Sequence, residues 1–168
     1  PIHSSLTELP ILIFSHGLGG MKAQNTILVE ELVSRGYFVI APDHPYDANI
    51  TIFEDGELAD YRSGITYLQA KRGEGVILTE EDFWNFRLPQ IKTRTLDIQF
   101  IMDRINENAK QDSSSIWGRI DLNRIGVFGH SYGGATSVMV SHVDDRVDAC
   151  LSLDGWNVPI PLDIINTG

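Results

Sequence analysis

The stretch from Arg124 to Val143 constrains the fold more than any other part of the chain. Arg124-Ile-Gly-Val-Phe128 is a short, continuous apolar run, the signature of a strand buried on both faces of a parallel sheet. It passes through Gly129-His-Ser-Tyr-Gly133 straight into a segment of helical character, from about Tyr132 to Val143. A strand that becomes a helix across a single serine needs small residues two before and two after it, because the chain passes close to itself there. Gly129 and Gly133 meet that need, and Gly134 and Ala135 extend the small surface where the helix crosses back over the sheet.

The rest of the chain repeats the pattern. Pro10-Ile-Leu-Ile-Phe14 is a buried-type strand ending in the glycine-rich loop Ser15-His-Gly-Leu-Gly-Gly20. Residues 23–35 read as a helix, with Leu28/Leu32 and Val29/Val33 as i,i+4 pairs and Gly36 as its stop. Tyr37-Phe-Val-Ile-Ala41 is a second strand, closed by Pro42 and Pro45. Residues 46–88 are less regular and read as an excursion that forms a cap or rim. Residues 90–108 place Ile91, Thr95, Ile98, Met102 and Ile105 on one helical face, Ser113 to Gly118 is a polar connector, and residues 148–153 form a fourth strand. This alternation predicts one α/β domain over residues 1–168, with a central parallel sheet and helices on both faces. Ligands of such sheets sit at the carboxyl ends of the strands, where every motif below falls.

Composition narrows the partners. Lys and Arg number 13 against 23 Asp and Glu, a formal charge of −10. That disfavours nucleic acid, whose phosphates need clustered cations, and weakens adsorption to anionic lipid. The single Cys150 excludes an intrachain disulfide and a cysteine-based zinc site. No metal or cofactor is expected. The sequence starts at Pro1 rather than at a methionine, which reads as a processed or excised start.

Gly129-His-Ser-Tyr-Gly133 matches the G-x-S-x-G nucleophile elbow in the strand-to-helix setting the elbow requires, so Ser131 is the candidate nucleophile. The alternative is a glycine-rich turn with an idle serine. Acyl transfer also needs N–H donors aimed at the tetrahedral oxyanion. The Tyr132 N–H is one candidate, and the Leu18 N–H, in the loop after the first strand, is the other. His16 reads as a hydrogen-bonding brace of that loop. Asp154 follows Ser131 by 23 residues at the end of the fourth strand, placed to orient an imidazole. Its competitors are Asp144, Asp145, Asp148 and Asp163; the alternative for Asp154 itself is a turn-forming role before Gly155.

The triad order of this architecture puts the histidine after the acid, and none of His3, His16, His44, His130 and His142 lies there. His44, beside Asp43, is the internal substitute worth naming. The simpler expectation is a histidine beyond Gly168, so that these residues form an incomplete domain. Phe83, Trp84, Phe86 and Leu88 either pin the excursion to the core, the preferred reading, or touch an acyl chain or a lipid surface.

Together these motifs resemble the platelet-activating-factor acetylhydrolase family, plasma and type II branch with bacterial relatives, within the α/β-hydrolase superfamily. Phe14-Ser-His-Gly-Leu-Gly-Gly20 is similar to its oxyanion loop, Gly129-His-Ser-Tyr-Gly-Gly-Ala-Thr136 to its elbow, and Leu153-Asp-Gly-Trp156 to its acid motif. Asp43-His-Pro-Tyr-Asp47 is similar to the segment after a central strand in bacterial members. The resemblance implies Ser131 as nucleophile, Asp154 as acid, and Leu18 and Tyr132 as donors. It further implies metal-independent release of short or oxidised acyl groups from phospholipid or similar small esters. It also implies further strands before the first one visible here, and a histidine after the last. A general carboxylesterase or polyesterase, a dienelactone-hydrolase-like enzyme, and a non-catalytic binding protein of the same fold are the rival readings.

Overall fold

The computed structural model describes residues 8–64, 73, 79–112 and 114–161. Four strands form one parallel sheet: β1 (Leu9–Ser15), β2 (Phe38–Ile40), β5 (Ile120–His130) and β6 (Ala149–Leu153), in the order β2-β1-β5-β6. From β1 the chain winds outward to β2, and from β5 it winds the opposite way to β6. The winding therefore reverses between β1 and β5, where Ser15 lies in register with Gly129. A crevice at the carboxyl ends of those two strands is where this topology puts a ligand.

Alternate residues of the paired strands separate the two faces of the sheet. Ile11, Ile13, Ile125 and Val127 form one core cluster with Ile98, Met102 and Ile105 of helix α2 (Glu80–Gln111) and Val140 of helix α3 (Tyr132–Val143). On the other parity, the rings of Phe14 and Phe128 meet with centroids 5.1 Å apart. The expected α/β class, with its parallel central sheet, is the class observed.

Several boundaries differ from the sequence reading for identifiable reasons. Helix α2 starts at Glu80 rather than at 90, because Thr79 and Asp82 form a reciprocal capping box (Asp82 N–H to Thr79 Oγ1, 3.1 Å; Thr79 N–H to Asp82 Oδ2, 3.0 Å). Pro89 lies inside the helix and does not end it. The aromatic residues 83–86 therefore belong to the first turns of α2. Within the excursion, Ile50–Ile52 (β3) and Leu58–Asp60 (β4) form an antiparallel hairpin, and Gly56 supplies the φ of +86° its turn requires. Residues 65–72 and 74–78 of the excursion lie outside the described residues. Residues 116–119 of the connector form a 3-10 turn capped by Ser115. Strand β5 starts four residues earlier than expected, and its register against β1 shifts between Pro10 and Ile11.

Helix α1 (Thr26–Ser34) is shorter than the expected 23–35, and its apolar stripe is incompletely covered: Val29 and Leu32 are half-buried, Leu28 and Val33 exposed, and none of its residues is buried. Its i,i+4 pattern is real, but among the described residues little packs over it.

Candidate active site

Strand β5 ends at His130 and helix α3 starts at Tyr132, so the turn between them falls at Ser131. Ser131 is the N-cap residue of α3, with φ 55° and ψ −118°, a combination that costs a non-glycine residue roughly 1–3 kcal/mol and persists only where the surroundings impose it. Here they do. The Ser131 N–H donates to the Leu153 carbonyl at 3.0 Å, and the Ser131 carbonyl accepts from the N–H groups of Gly134 and Trp156, both at 3.0 Å. The Ser131 side chain makes no capping bond to the helix it starts and is half-buried.

The glycine-rich loop lies against this serine: a Cβ placed on Gly17 would stand 3.4 Å from the Ser131 Cβ. Three backbone donors of this loop have acceptors. The Gly17 N–H donates to Gln24 Oε1 (2.9 Å), the Gly19 N–H to the Asp47 carbonyl (2.9 Å), and the Gly20 N–H to the Gly17 carbonyl (3.1 Å). Among residues 17–20, the Leu18 N–H alone has no acceptor among the described residues. The Tyr132 N–H, at the start of α3, likewise has none, and there the helix dipole favours negative charge.

Asp154 leaves β6 one residue past Leu153, which pairs with His130 and whose carbonyl accepts the Ser131 N–H. Its backbone is left-handed (φ 48°) and its side chain is exposed, with no hydrogen bond to the described residues. Asp144 and Asp148, two of the competing carboxylates, lie elsewhere. Asp148 sits at the opposite end of the sheet, where its Oδ2 accepts the Ile125 N–H at 2.8 Å. Asp144, at the C-terminal end of α3, is held by the Arg146 guanidinium, which pulls its carboxyl down to about 2. Asp163 lies outside the described residues.

The histidines have other work. His44 is 1% exposed, its Nε2 paired with Ser15 Oγ (2.9 Å) and its Nδ1 with Asp97 Oδ2 (2.8 Å). Burial lowers its basicity despite the Asp97 carboxylate. Both ring nitrogens are committed away from Ser131, so it does not serve as the substitute base. His16 is fully buried; its Nδ1 bonds the Gly17 carbonyl at 2.7 Å and its Nε2 accepts the His44 N–H at 3.0 Å. Burial, and next the Arg94 charge, lower its pKa to about 4. His130 Nδ1 lies 3.4 Å from Gln24 Nε2, and His142 is exposed at the far end of α3. His3 lies outside the described residues.

Sequence reasoning missed the support beneath the loop. Arg94 is 1% exposed; its Nε donates to Asp47 Oδ2 (2.5 Å) and its Nη1 to the His16 carbonyl (2.7 Å). Asp47 also accepts from Gln90 and Ser63. Arg87, also buried, donates to the Ser63 carbonyl and stands over the rings of Phe86 and Trp156. The detectable signal was two arginines on the otherwise apolar face of α2. An aromatic wall flanks Ser131: Trp156 meets Tyr132 and Phe83, each with centroids 5.8 Å apart, and Leu18 packs on the same cluster. Tyr132, whose hydroxyl donates to the Arg87 carbonyl, has its phenol pushed up by burial.

The sequence model of the family described as platelet-activating factor acetylhydrolase, isoform II, matches residues 1–167. The chain belongs to that family. Among relatives of this acetylhydrolase family, the platelet-activating factor acetylhydrolase of Cavia porcellus is 28% identical over 94% of this chain and 37% of its own length. That of Gallus gallus is 27% identical over 91% of this chain and 40% of its own length. The chain thus spans well under half of either relative. A solved ferulic acid esterase from Streptomyces cinnamoneus aligns with a TM-score of 0.64 and 32% identity, covering 88% of this chain and 37% of that one. The fold of this acetylhydrolase-family chain is that of the α/β-hydrolase esterases.

Proposed function

We propose that this chain carries the nucleophile, the acid and the oxyanion donors of a serine ester hydrolase that releases short acyl groups from phospholipid or similar esters. The observation that carries the reading is the pairing of a strained Ser131 with a neighbouring loop whose Leu18 N–H alone lacks an acceptor.

In this reading Ser131 Oγ attacks the ester carbonyl and its proton passes to an imidazole. The tetrahedral oxyanion is held by the N–H groups of Leu18 and Tyr132. Collapse expels the alcohol and leaves an acyl-enzyme, which water opens by the reverse sequence. Asp154 orients the imidazole and stabilises its charge. No described histidine is hydrogen-bonded to the Ser131 hydroxyl, and the reading takes the base from outside the described residues. A protein of these 168 residues alone is expected to show at most the roughly 10³–10⁴-fold advantage over water that an oxyanion hole and binding leave without a complete triad. The half-buried rings of Phe83 and Trp156 beside the nucleophile are the surface offered to an acyl chain or to a lipid interface.

A second reading, a carboxylesterase without phospholipid preference, is favoured by the likeness to the ferulic acid esterase. Turnover by the full-length protein separates the two. Release of acetate from a short-chain phospholipid at a kcat/KM at or above that for p-nitrophenyl acetate supports the first; activity on p-nitrophenyl and feruloyl esters only supports the second. In either case Ser131→Ala is expected to lower kcat by roughly 10⁶-fold, and unchanged turnover in that variant contradicts both.

A further inference from the structure

The Leu18 N–H and the Gly17 carbonyl belong to one peptide unit. The described chain has no cis peptide bond, so the two groups point in opposite directions from the same plane. Whatever holds the carbonyl aims the N–H. Two donors hold it: the His16 ring through Nδ1 (2.7 Å) and the Gly20 N–H (3.1 Å).

The chemistry of the partners fixes the state of that ring. A carbonyl oxygen only accepts, so His16 Nδ1 carries the proton. The His44 main-chain N–H only donates, so His16 Nε2 carries the lone pair. The neutral Nδ1–H tautomer alone satisfies both. The His44 N–H is in turn held in place, because its own ring is pinned between Ser15 Oγ and Asp97 Oδ2 and because the ends of β1 and β2 are adjacent in the sheet. The preceding carbonyl, that of His16, accepts from Arg94 Nη1. With the Gly17 carbonyl tied by the His16 ring and the Gly20 N–H, the Leu18 N–H of the same trans peptide points to the opposite side, in a loop whose Gly17 borders Ser131.

We infer that His16 is a positioning residue of the hydrolytic site: its Nδ1–H tautomer, set by the His44 main chain, locks the Gly17–Leu18 peptide so that the Leu18 N–H is presented to the oxyanion. The inference rests on the ester-hydrolase reading above. It assigns His16 no proton transfer to substrate. Its effect falls on the transition state alone, because a donor aimed at the oxyanion contributes little to ground-state binding.

The test compares His16→Asn and His16→Leu with wild type in the full-length protein, using a short p-nitrophenyl ester. The Asn side-chain amide can occupy the place of Nδ1 and keep the bond to the Gly17 carbonyl; Leu cannot. His16→Leu is expected to lower kcat by roughly 10²-fold with KM within about threefold, the cost of a lost oxyanion donor, while His16→Asn stays within about fivefold of wild type. Equal losses in both variants, or a loss confined to KM, overturn the inference. A second measurement does not depend on how the variants fold. In the wild-type protein carrying a phosphonate on Ser131, nitrogen-15 NMR of labelled histidine is expected to show His16 neutral and protonated at Nδ1; protonation at Nε2 overturns the inference. Ser131→Ala serves as the control. If it retains wild-type turnover, the hydrolase reading itself fails. If it is inactive while His16→Leu keeps its kcat, only the present inference fails.

Discussion

Gly133 and Ser15 approach so closely that a Cβ on Gly133 would lie 1.9 Å from the Ser15 carbonyl oxygen. Helix α3 starts where β1 ends, and the closeness of those two backbones puts Ser131 beside the loop that follows β1. Gly129 is subject to the same restriction, since its Cβ would meet the Gly133 backbone at 2.3 Å. Because backbone, not a mobile side chain, is in the way, Gly133→Ala is expected to cost more than the ~1–3 kcal/mol typical of an overfilled core. Urea denaturation measures it. Gly17→Ala is the contrast, since its new Cβ would make ordinary contacts of 3.4 Å with His130 and Ser131. It is expected to leave stability within about 1 kcal/mol while lowering kcat/KM, because the added methyl group borders Ser131, the proposed nucleophile.

Asp154 combines a left-handed backbone with an exposed carboxyl that bonds to no described residue. Asparagine tolerates that backbone and keeps the size of the side chain, so Asp154→Asn is the clean substitution. In the full-length enzyme kcat is expected to fall by about 10⁴-fold with the melting temperature nearly unchanged. A kcat within threefold of wild type would remove Asp154 from the triad.

Two buried histidines make stability depend on pH. The pKa of His16 is lowered from 6.5 to about 4 in the folded chain, and that of His44 is lowered too, both chiefly by burial. Between those values the unfolded chain binds protons that the folded one refuses, so unfolding free energy rises with pH across the window. The contribution is fully present above about pH 6.5 and is lost as pH falls towards 4. For His16 it amounts to a few kcal/mol. Denaturation at pH 7.5 and pH 4.5 is expected to show a loss of that order, reduced in His16→Asn. A flat profile would contradict the buried, neutral rings.

Arg94 and Asp47 form a buried ion pair that also holds the His16 carbonyl. Removing one member leaves the other charged and without its partner. Arg94→Leu is therefore expected to destabilise by about 3–5 kcal/mol, measured by urea denaturation. The double variant Arg94→Leu, Asp47→Leu is expected to recover part of the loss, because no buried charge is then stranded.

The strands and the elbow were legible because their signals are local. An apolar run, a glycine-serine-glycine spacing and a helical stripe sit next to one another between residues 124 and 143, and α3 spans Tyr132–Val143 as read. The start of α2 lies ten residues before the expected 90, because the apolar stripe begins only at Ile91, whereas the capping box of Thr79 and Asp82 sets the first turn. The half-covered apolar stripe of α1 shows that periodicity identifies a face without saying what covers it. At the site, the residues that touch substrate in the proposed mechanism could be named from motifs. Those that hold them could not. His44 reaches Asp97 across 53 positions and Arg94 reaches the His16 carbonyl across 78. No spacing rule connects residues so far apart in sequence, and only the folded sheet brings them together.

The central claim is that Ser131 is a nucleophile presented to two main-chain donors. It is tested most directly by reacting the full-length protein with an alkyl fluorophosphonate and locating the adduct by peptide mass spectrometry. The account predicts stoichiometric modification at Ser131 with parallel loss of esterase activity, and no modification of the Ser131→Ala variant. Modification at another residue, or undiminished labelling of that variant, would contradict it.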